Sequence, residues 1–168
     1  MIQVAVDDLA FAEVDAVVRP ADTALDPVTT GAARLDRQAG ERFTAQRRIQ
    51  TPLAPGAAVV TGGGDLPAKL VVHAVIQSRD QPVSADSVRR ALVSVWQRMA
   101  QWQIRTVAMP VVGAGAGQLP IEEAARLLRE TLADPARDPA FPASVTVMVD
   151  RESERELVAA AVLPRAAM

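Results

Sequence analysis

Cysteine is absent from this 168-residue chain, and histidine, lysine and aromatic residues are rare. The absence of cysteine excludes disulfide bonds, thiol nucleophiles and zinc sites with cysteine ligands. The single histidine, His73, lies in an apolar segment and is expected to be a hydrogen-bonded core residue. No histidine–carboxylate cluster suggests a metal, so neither a metal nor another cofactor is expected. The net charge of −2 gives no electrostatic footprint for nucleic acid, which is therefore an unlikely partner.

Long apolar runs are also missing. No stretch reaches the roughly 18 residues that a membrane span needs, so no membrane partner is expected. The first seven residues, Met-Ile-Gln-Val-Ala-Val-Asp, are typical of a strand rather than a signal peptide, which favours a cytoplasmic protein. What the chain does have is alanine and valine, in a composition typical of an α/β protein with a buried sheet. The length predicts a single domain over residues 1–168.

Short Val/Ile-rich segments alternate with segments of helical periodicity. This alternation predicts an α/β protein with a mixed, largely parallel sheet between helices on both faces. Strands are predicted at 2–6, 15–19, 57–61, 69–77, 105–111 and 144–150. Helices are predicted at 31–50 with a break near Gly40, at 84–103, at 120–132, and after a capping box at Ser153–Glu156. In the longest helix the apolar positions form one face, namely Val88, Leu92, Val95, Met99 and Trp102.

A glycine-rich loop at residues 113–117 links a predicted strand to a predicted helix at Pro120. Glycine permits positive φ and lets a ligand approach the backbone, and successive N–H groups can point at one anion. The loop therefore predicts a phosphate-bearing ligand, although a tight strand-to-helix turn also fits. A Walker loop fits poorly because no Gly-Lys-Ser/Thr follows. A Rossmann fingerprint fits poorly because the loop lies two thirds along the chain.

Four segments carry recognisable patterns, namely Val6–Leu9, Asp15–Asp22, the hairpin segment Pro55–Val75, and Met109–Pro120. In this order they resemble segments of the macro domain, a family of ADP-ribose-binding modules and ADP-ribosyl hydrolases. The resemblance covers most of the chain and implies a three-layer α/β/α fold. It also implies ADP-ribose, or an ADP-ribosylated substrate, as the ligand.

The resemblance assigns candidate ligand-binding residues at both ends of the ligand. Asp8 matches the acidic residue that recognises the adenine amino group, although a turn cap after the first strand explains it too. Leu9 matches an apolar neighbour of the adenine, and equally fits a core position. The loop that binds the diphosphate through its amides and flanks the distal ribose matches Gly113, Ala114, Gly115, Ala116 and Gly117. The Ser/Thr and aromatic side chains usual in that loop are missing.

Two positions near the distal ribose also differ from the family pattern. Asp22 replaces the last Asn of the strand motif, which supports hydrolysis in active members, so Asp22 is the candidate catalytic residue. An ionised Asp can accept a hydrogen bond from a ribose hydroxyl but cannot donate one, and it repels a diphosphate. Arg19 replaces the earlier Asn. It either faces the cleft and offsets this charge, or makes a surface contact.

The family's first glycine loop is eroded to a single glycine, Gly31, preceded by Thr29 and Thr30. Thr30 and Gly31 are the candidate phosphate-binding residues there. Arg34 and Arg37 follow in the next helix and face either the diphosphate or solvent.

Three functions are compatible with these features. The first is binding of ADP-ribose or an ADP-ribosylated ligand. The second is hydrolysis of ADP-ribosyl groups or of O-acetyl-ADP-ribose, with activity weakened or lost. The third is a degenerate macro fold that binds protein partners and no ADP-ribose, with the apolar face of the longest helix as one possible docking surface.

Overall fold

A six-stranded sheet organises the part of the chain that the structure, a computed structural model, describes, which is residues 1–164. Its strands are β1 (Ile2–Val6), β2 (Ala16–Asp22), β3 (Ala58–Gly62), β4 (Leu70–Gln77), β5 (Thr106–Met109) and β6 (Ser144–Val149). The spatial order is β1-β6-β5-β2-β4-β3. All neighbours are parallel except β3 and β4, which form an antiparallel hairpin. The predicted domain reaches residue 168, and its last four residues lie outside the described part.

Helices cover both faces of the sheet. They are α1 (Thr30–Gln46), α2 (Ala85–Gln101), α3 (Ile121–Leu132) and α4 (Glu152–Val162), with a 3-10 turn at Leu9–Phe11. Because side chains alternate along a strand, Val72 belongs to the core cluster that also includes residues of α2, α3 and α4, whereas Val71 belongs to the cluster beneath α1 and the turn. The predicted three-layer α/β/α fold with a mixed, largely parallel sheet is therefore confirmed. No helix among residues 1–164 is long and apolar enough to cross a membrane.

Most helix boundaries follow from local sequence signals. The side chain of Ser84 accepts a hydrogen bond from the Ser87 amide and caps α2. The predicted break in α1 is confirmed, because Gly40 has φ 86° and ψ −172° inside the helix. The capping box predicted at Ser153 is wrong, since α4 begins at Glu152 with Arg151 as its N-cap and no side-chain cap.

The apolar face predicted for α2 is buried except at its end. Val88, Leu92, Val95 and Met99 are fully buried, whereas Trp102 follows the last turn of the helix and is 54% exposed. The face packs against the sheet and is not available as a docking surface for another protein.

Strand β2 is longer than predicted and runs through Pro20 to Asp22. Proline is tolerated where one side of a strand has no partner. The ladder between β2 and β5 comprises only the pairs Ala16–Val107 and Val17–Ala108, so β2 has lost this neighbour before it reaches Pro20.

The early separation of β2 and β5 opens a crevice. The helix after β2, α1, packs on one face of the sheet, and the helix after β5, α3, packs on the other. In α/β sheets, ligands bind at the carboxyl ends of adjacent strands whose connections leave in opposite directions. The fold therefore places the candidate site between the N-terminus of α1 and the glycine loop.

Candidate functional site

The crevice, called the cleft below, has a volume of about 170 Å³ and combines several predicted residues. Its lining includes six of them, namely Asp8, Leu9, Thr30, Gly31, Ala114 and Gly115. The other four predicted residues are not part of this lining: Asp22, Gly113, Ala116 and Gly117. The structure thus brings together the segment after β1, the start of α1 and the glycine loop, which are far apart in sequence.

The N-terminus of α1 presents unpartnered amides to the cleft. Thr29 is the N-cap: its Oγ1 accepts from the Ala32 amide at 3.0 Å, and its carbonyl accepts from the Ala33 amide at 3.1 Å. The amides of Thr30 and Gly31 have no acceptor among residues 1–164. Free N–H groups at the positive end of a helix dipole favour an anion.

The glycine loop supplies a second set of free amides. Gly113, Gly115 and Gly117 all have positive φ, at 95°, 137° and 73°. The loop is closed by hydrogen bonds from the Leu119 amide to the Gly113 carbonyl and from the Gln118 amide to the Gly115 carbonyl, at 2.8 and 3.1 Å. Within the described residues, the amides of Ala116 and Gly117 have no acceptor, whereas the bridge between Ala114 and Leu119 directs the Gly115 amide toward the Leu119 carbonyl. Such a run of N–H groups can surround an anion.

The elements that carry the two sets of amides approach each other at one point. A Cβ atom built on Gly115 would lie 3.5 Å from the Cγ2 of Thr29, so the glycine loop and the helix cap face each other across a gap that one methyl group would fill. The cleft therefore has a wall on each side of this gap that is able to bind phosphate oxygens without any side chain.

The opposite end of the cleft is acidic. Asp8 follows β1, and Asp150 follows the neighbouring parallel strand β6, so both reach the same edge of the sheet. Asp7 and Glu154 also line this end. Glu154 has a buried Oε1 without a hydrogen-bond partner among the described residues. Asp150 was not among the predicted site residues. Its position just after a strand would have indicated the site only if the pairing of that strand with β1 had been known.

Asp8 uses only one of its carboxylate oxygens locally. Its Oδ1 accepts a hydrogen bond from the Ala10 amide at 3.0 Å and caps the 3-10 turn. This is the turn cap after the first strand that the sequence offered as one explanation of Asp8. Its Oδ2 has no donor within residues 1–164 and remains free for a ligand. Leu9 is half-buried, packs against the core beneath α1 and also lines the cleft, so it fits both of its predicted interpretations.

The two candidate arginines of α1 differ. Arg34 lines the cleft, and its Nη2 lies 3.9 Å from Oδ1 of Asp150. Arg37 is exposed and does not belong to the cleft lining. Of the two positions, Arg34 is therefore the one placed to meet a ligand.

Arg19 is fully buried, so a surface contact is excluded. Its guanidinium donates through Nε and Nη2 to the two carboxylate oxygens of Asp36, both at 2.7 Å. No sequence signal identifies Asp36 as the partner of Arg19, because the sequence does not indicate which face of helix α1 packs against strand β2. Since Asp36 cancels its charge, Arg19 does not serve to offset an anionic ligand.

His73 is a buried, hydrogen-bonded core residue, as predicted. Its Nδ1 lies 3.2 Å from Nη1 of Arg19 and its Nε2 lies 2.8 Å from Oγ1 of Thr61. Burial lowers the pKa of His73 to about 3, with further contributions from the positive charges of Arg19 and Arg47. The neutral ring accepts from Arg19 and donates to Thr61, and it is unsuited to general base catalysis near neutral pH.

Asp22 lies at the end of β2 and organises its own loop. Its Oδ1 accepts from the amides of Ala24 and Asp26, both at 2.9 Å. One oxygen of the candidate catalytic carboxylate is therefore already bonded to the backbone.

Comparison with known proteins gives consistent matches. A family model described as the Macro domain matches residues 18–128. A protein of Enterobacter sp. (strain 638) named O-acetyl-ADP-ribose deacetylase is 31% identical over 139 residues, which cover 79% of this chain and 77% of that protein. An uncharacterised protein of Mycobacterium tuberculosis is 30% identical over 72% of this chain. The chain spans about a third of the length of such mycobacterial relatives, with 34% covered in this case.

Solved structures agree on the fold. A macrodomain of Oceanobacillus iheyensis with MES bound has a TM-score of 0.82 at 16% identity, covering 94% of this chain and 88% of that one. A macrodomain of Trypanosoma brucei in complex with ADP-ribose has a TM-score of 0.80 at 20% identity, covering 94% of this chain and 67% of that one.

Proposed function

This chain belongs to the macro domain family, and we propose that its cleft binds ADP-ribose or an ADP-ribosylated ligand. The observation that carries the proposal is that two sets of unpartnered amides, one at the start of α1 and one in the glycine loop, lie on elements that approach each other at Thr29 and Gly115. The Trypanosoma brucei neighbour, which was solved in complex with ADP-ribose, supports the ligand class.

In this proposal the diphosphate lies between the amides of Thr30 and Gly31 and the glycine loop, in which Ala114 and Gly115 line the cleft and the amides of Ala116 and Gly117 have no acceptor. Backbone N–H groups bind phosphate oxygens regardless of the side chains around them. The loss of the family's usual Ser/Thr and aromatic side chains therefore leaves phosphate binding intact. It removes side-chain contacts to the distal ribose, and we expect that sugar to be held more loosely.

The adenine lies at the acidic end in the same proposal. The free Oδ2 of Asp8 accepts a hydrogen bond from the exocyclic amino group, and Leu9 contacts the ring. A carboxylate accepts hydrogen bonds only, so it favours a base that presents an N–H group at this position. Asp8 can cap the 3-10 turn and bind the base at once, because the two roles use different oxygens.

A hydrolase is the second candidate, favoured by the relatives named O-acetyl-ADP-ribose deacetylase. The chemistry of this chain argues for weak or absent turnover. Asp22 is engaged with two backbone amides, and His73 is neutral and buried. We therefore propose a binding module first.

Calorimetric titration with ADP-ribose tests the binding proposal. We expect micromolar affinity, and we expect ribose 5-phosphate, which lacks the adenine, to bind at least tenfold more weakly. Millimolar or undetectable binding of ADP-ribose would overturn the proposal and leave the protein interaction module as the remaining alternative.

A separate assay distinguishes a binder from a hydrolase. Incubation with a mono-ADP-ribosylated protein, or with O-acetyl-ADP-ribose, is expected to give little or no product. Asp22→Ala is the informative variant because it removes the carboxylate, whereas Asp22→Asn would restore the residue of the family motif that supports hydrolysis. Clear turnover by the unmodified chain that is lost in a folded Asp22→Ala variant would show an active hydrolase with Asp22 in its machinery.

A further inference from the structure

The cleft has an unusual balance of charge for a site that takes an anion. Four carboxylates line it, namely Asp7, Asp8, Asp150 and Glu154. The lining contains two cations within the described residues, and one of them, Arg19, is neutralised by Asp36. Arg34 is therefore the cation that remains to offset the charge of an entering diphosphate.

Arg34 is held only weakly where it is. Its contact with Asp150 is an ion pair at 3.9 Å, with side chains 46% and 77% exposed. Exposed ion pairs of this kind contribute little, because water and salt screen them. Neither side chain has another hydrogen bond or ion pair within residues 1–164. The pair joins α1 to the end of β6, the two walls of the acidic part of the cleft.

The position of Arg34 on α1 also relates it to the phosphate-binding end. Arg34 follows Thr30 by four residues, so both lie on the same face of the helix, one turn apart. Side chains on a helix lean toward its N-terminus. The guanidinium of Arg34 thus has access to the turn that carries the free amides of Thr30 and Gly31, as well as to Asp150.

We propose that Arg34 exchanges Asp150 for a ligand phosphate, and that Asp150 is the competing anion that holds the guanidinium when the cleft is unliganded. This inference rests on the proposed function and deepens it. The exchange makes the site selective for nucleotides over nucleosides, because only a ligand with a phosphate next to the nucleoside can displace Asp150. The exchange also gives the ligand phosphate a charge-assisted hydrogen bond from Arg34, in addition to the hydrogen bonds from the neutral amides of the two loops.

A double-mutant cycle with Arg34→Gln and Asp150→Asn tests the exchange. We expect Arg34→Gln to weaken ADP-ribose binding about tenfold, as expected for the loss of one charge-assisted hydrogen bond, and to leave adenosine binding unchanged. Asp150→Asn is expected to tighten ADP-ribose binding severalfold, because the competitor is gone. In the double variant this gain should vanish, because Arg34 is no longer there to be released.

The control is Arg37→Gln, which removes the same charge from the same helix outside the cleft and should leave binding unchanged. Thermal unfolding of each variant confirms that the fold is retained. If Asp150→Asn tightens binding equally with and without Arg34, the effect is general charge removal and the exchange is wrong. An unchanged affinity in Arg34→Gln would contradict it as well.

Inorganic pyrophosphate separates this inference from the proposed function. A chain that binds ADP-ribose but ignores substitution of Arg34 refutes only the exchange. A chain that fails to bind ADP-ribose, yet binds pyrophosphate in a manner that depends on Arg34, refutes the proposed function and retains the exchange. Binding of neither ligand overturns both.

Discussion

The guanidinium of Arg19 and the carboxylate of Asp36 form a bidentate ion pair, with both N–O distances at 2.7 Å, inside the protein. Arg19 lies in the central strand β2 and Asp36 in α1, so the pair ties the sheet to the helix whose N-terminus lines the cleft. Arg47 lies 3.6 Å from the same carboxylate. Removing Asp36 would leave the buried Arg19 without its counter-ion, whereas Arg47 would keep its ion pair with Asp26 at 3.1 Å.

Asp36→Asn is therefore expected to lower the free energy of unfolding by about 3–5 kcal/mol, the cost of leaving one member of a buried pair uncompensated. Urea denaturation measures this change. The matched control is Asp86→Asn, which breaks the exposed pair with Arg90 and should cost at most about 1 kcal/mol. Similar small losses in both variants would show that the buried pair is not needed for stability.

His73 predicts a specific dependence of stability on pH. Its pKa is about 3 in the folded protein and near 6.5 in the unfolded chain, so between these values the unfolded state binds the extra proton. Stability therefore falls as pH drops from 6.5 toward 3, with a slope of up to about 1.4 kcal/mol per pH unit from this group. His73→Gln should remove that part of the slope. Urea denaturation at pH 7, 6 and 5 for both proteins gives the comparison, and parallel slopes would contradict the assignment.

Gly113 and Gly117 provide a graded test of the glycine loop. Both have positive φ, but a Cβ on Gly113 would lie 2.8 Å from Cγ2 of Val88, whereas a Cβ on Gly117 meets nothing within 4 Å. Gly117→Ala should cost about 1 kcal/mol from backbone strain alone. Gly113→Ala should cost clearly more, since steric overlap with α2 is added. Thermal unfolding ranks the two variants, and equal losses would show that the overlap relaxes freely.

Base selectivity follows from the free oxygen of Asp8. ADP offers an amino group at purine position 6, whereas IDP offers a carbonyl oxygen that a carboxylate repels. We expect the unmodified chain to bind ADP at least tenfold more tightly than IDP. Asp8→Asn keeps an oxygen to cap Ala10 and gains a donor, so the preference should shrink or reverse. Competition binding measures the ratio, with Asp86→Asn as the control, and an unchanged ratio would place the base elsewhere.

The elements that sequence predicts well are those with a local signal. The glycine loop is followed by a helix that begins at Ile121, one residue after the proline predicted to open it. The break at Gly40 is visible because glycine alone supplies the φ that the kink requires. The apolar repeat of α2 predicts its buried face, and it fails only at Trp102, where the helix has ended and the periodicity no longer applies.

What sequence does not provide is which distant residues meet. The pairing of Arg19 with Asp36 depends on the packing of α1 over β2, and no spacing rule encodes that. The sequence predicts that this strand ends at Arg19, whereas β2 runs through Pro20 to Asp22, because the loss of the β5 neighbour that makes room for the proline is a tertiary event. Likewise, the acidic end of the cleft arises only when β6 pairs beside β1 and brings Asp150 next to the segment of Asp8.

The short ladder between β2 and β5 makes the sheet a pair of three-stranded halves joined by a seam of two residue pairs. The start of α1 belongs to the half with β2, and the glycine loop extends from β5 in the other half. A ligand bound to both halves would hold them together across the short ladder between β2 and β5. Its effect would reach well beyond the residues it touches, as slower hydrogen exchange of the strand amides on either side.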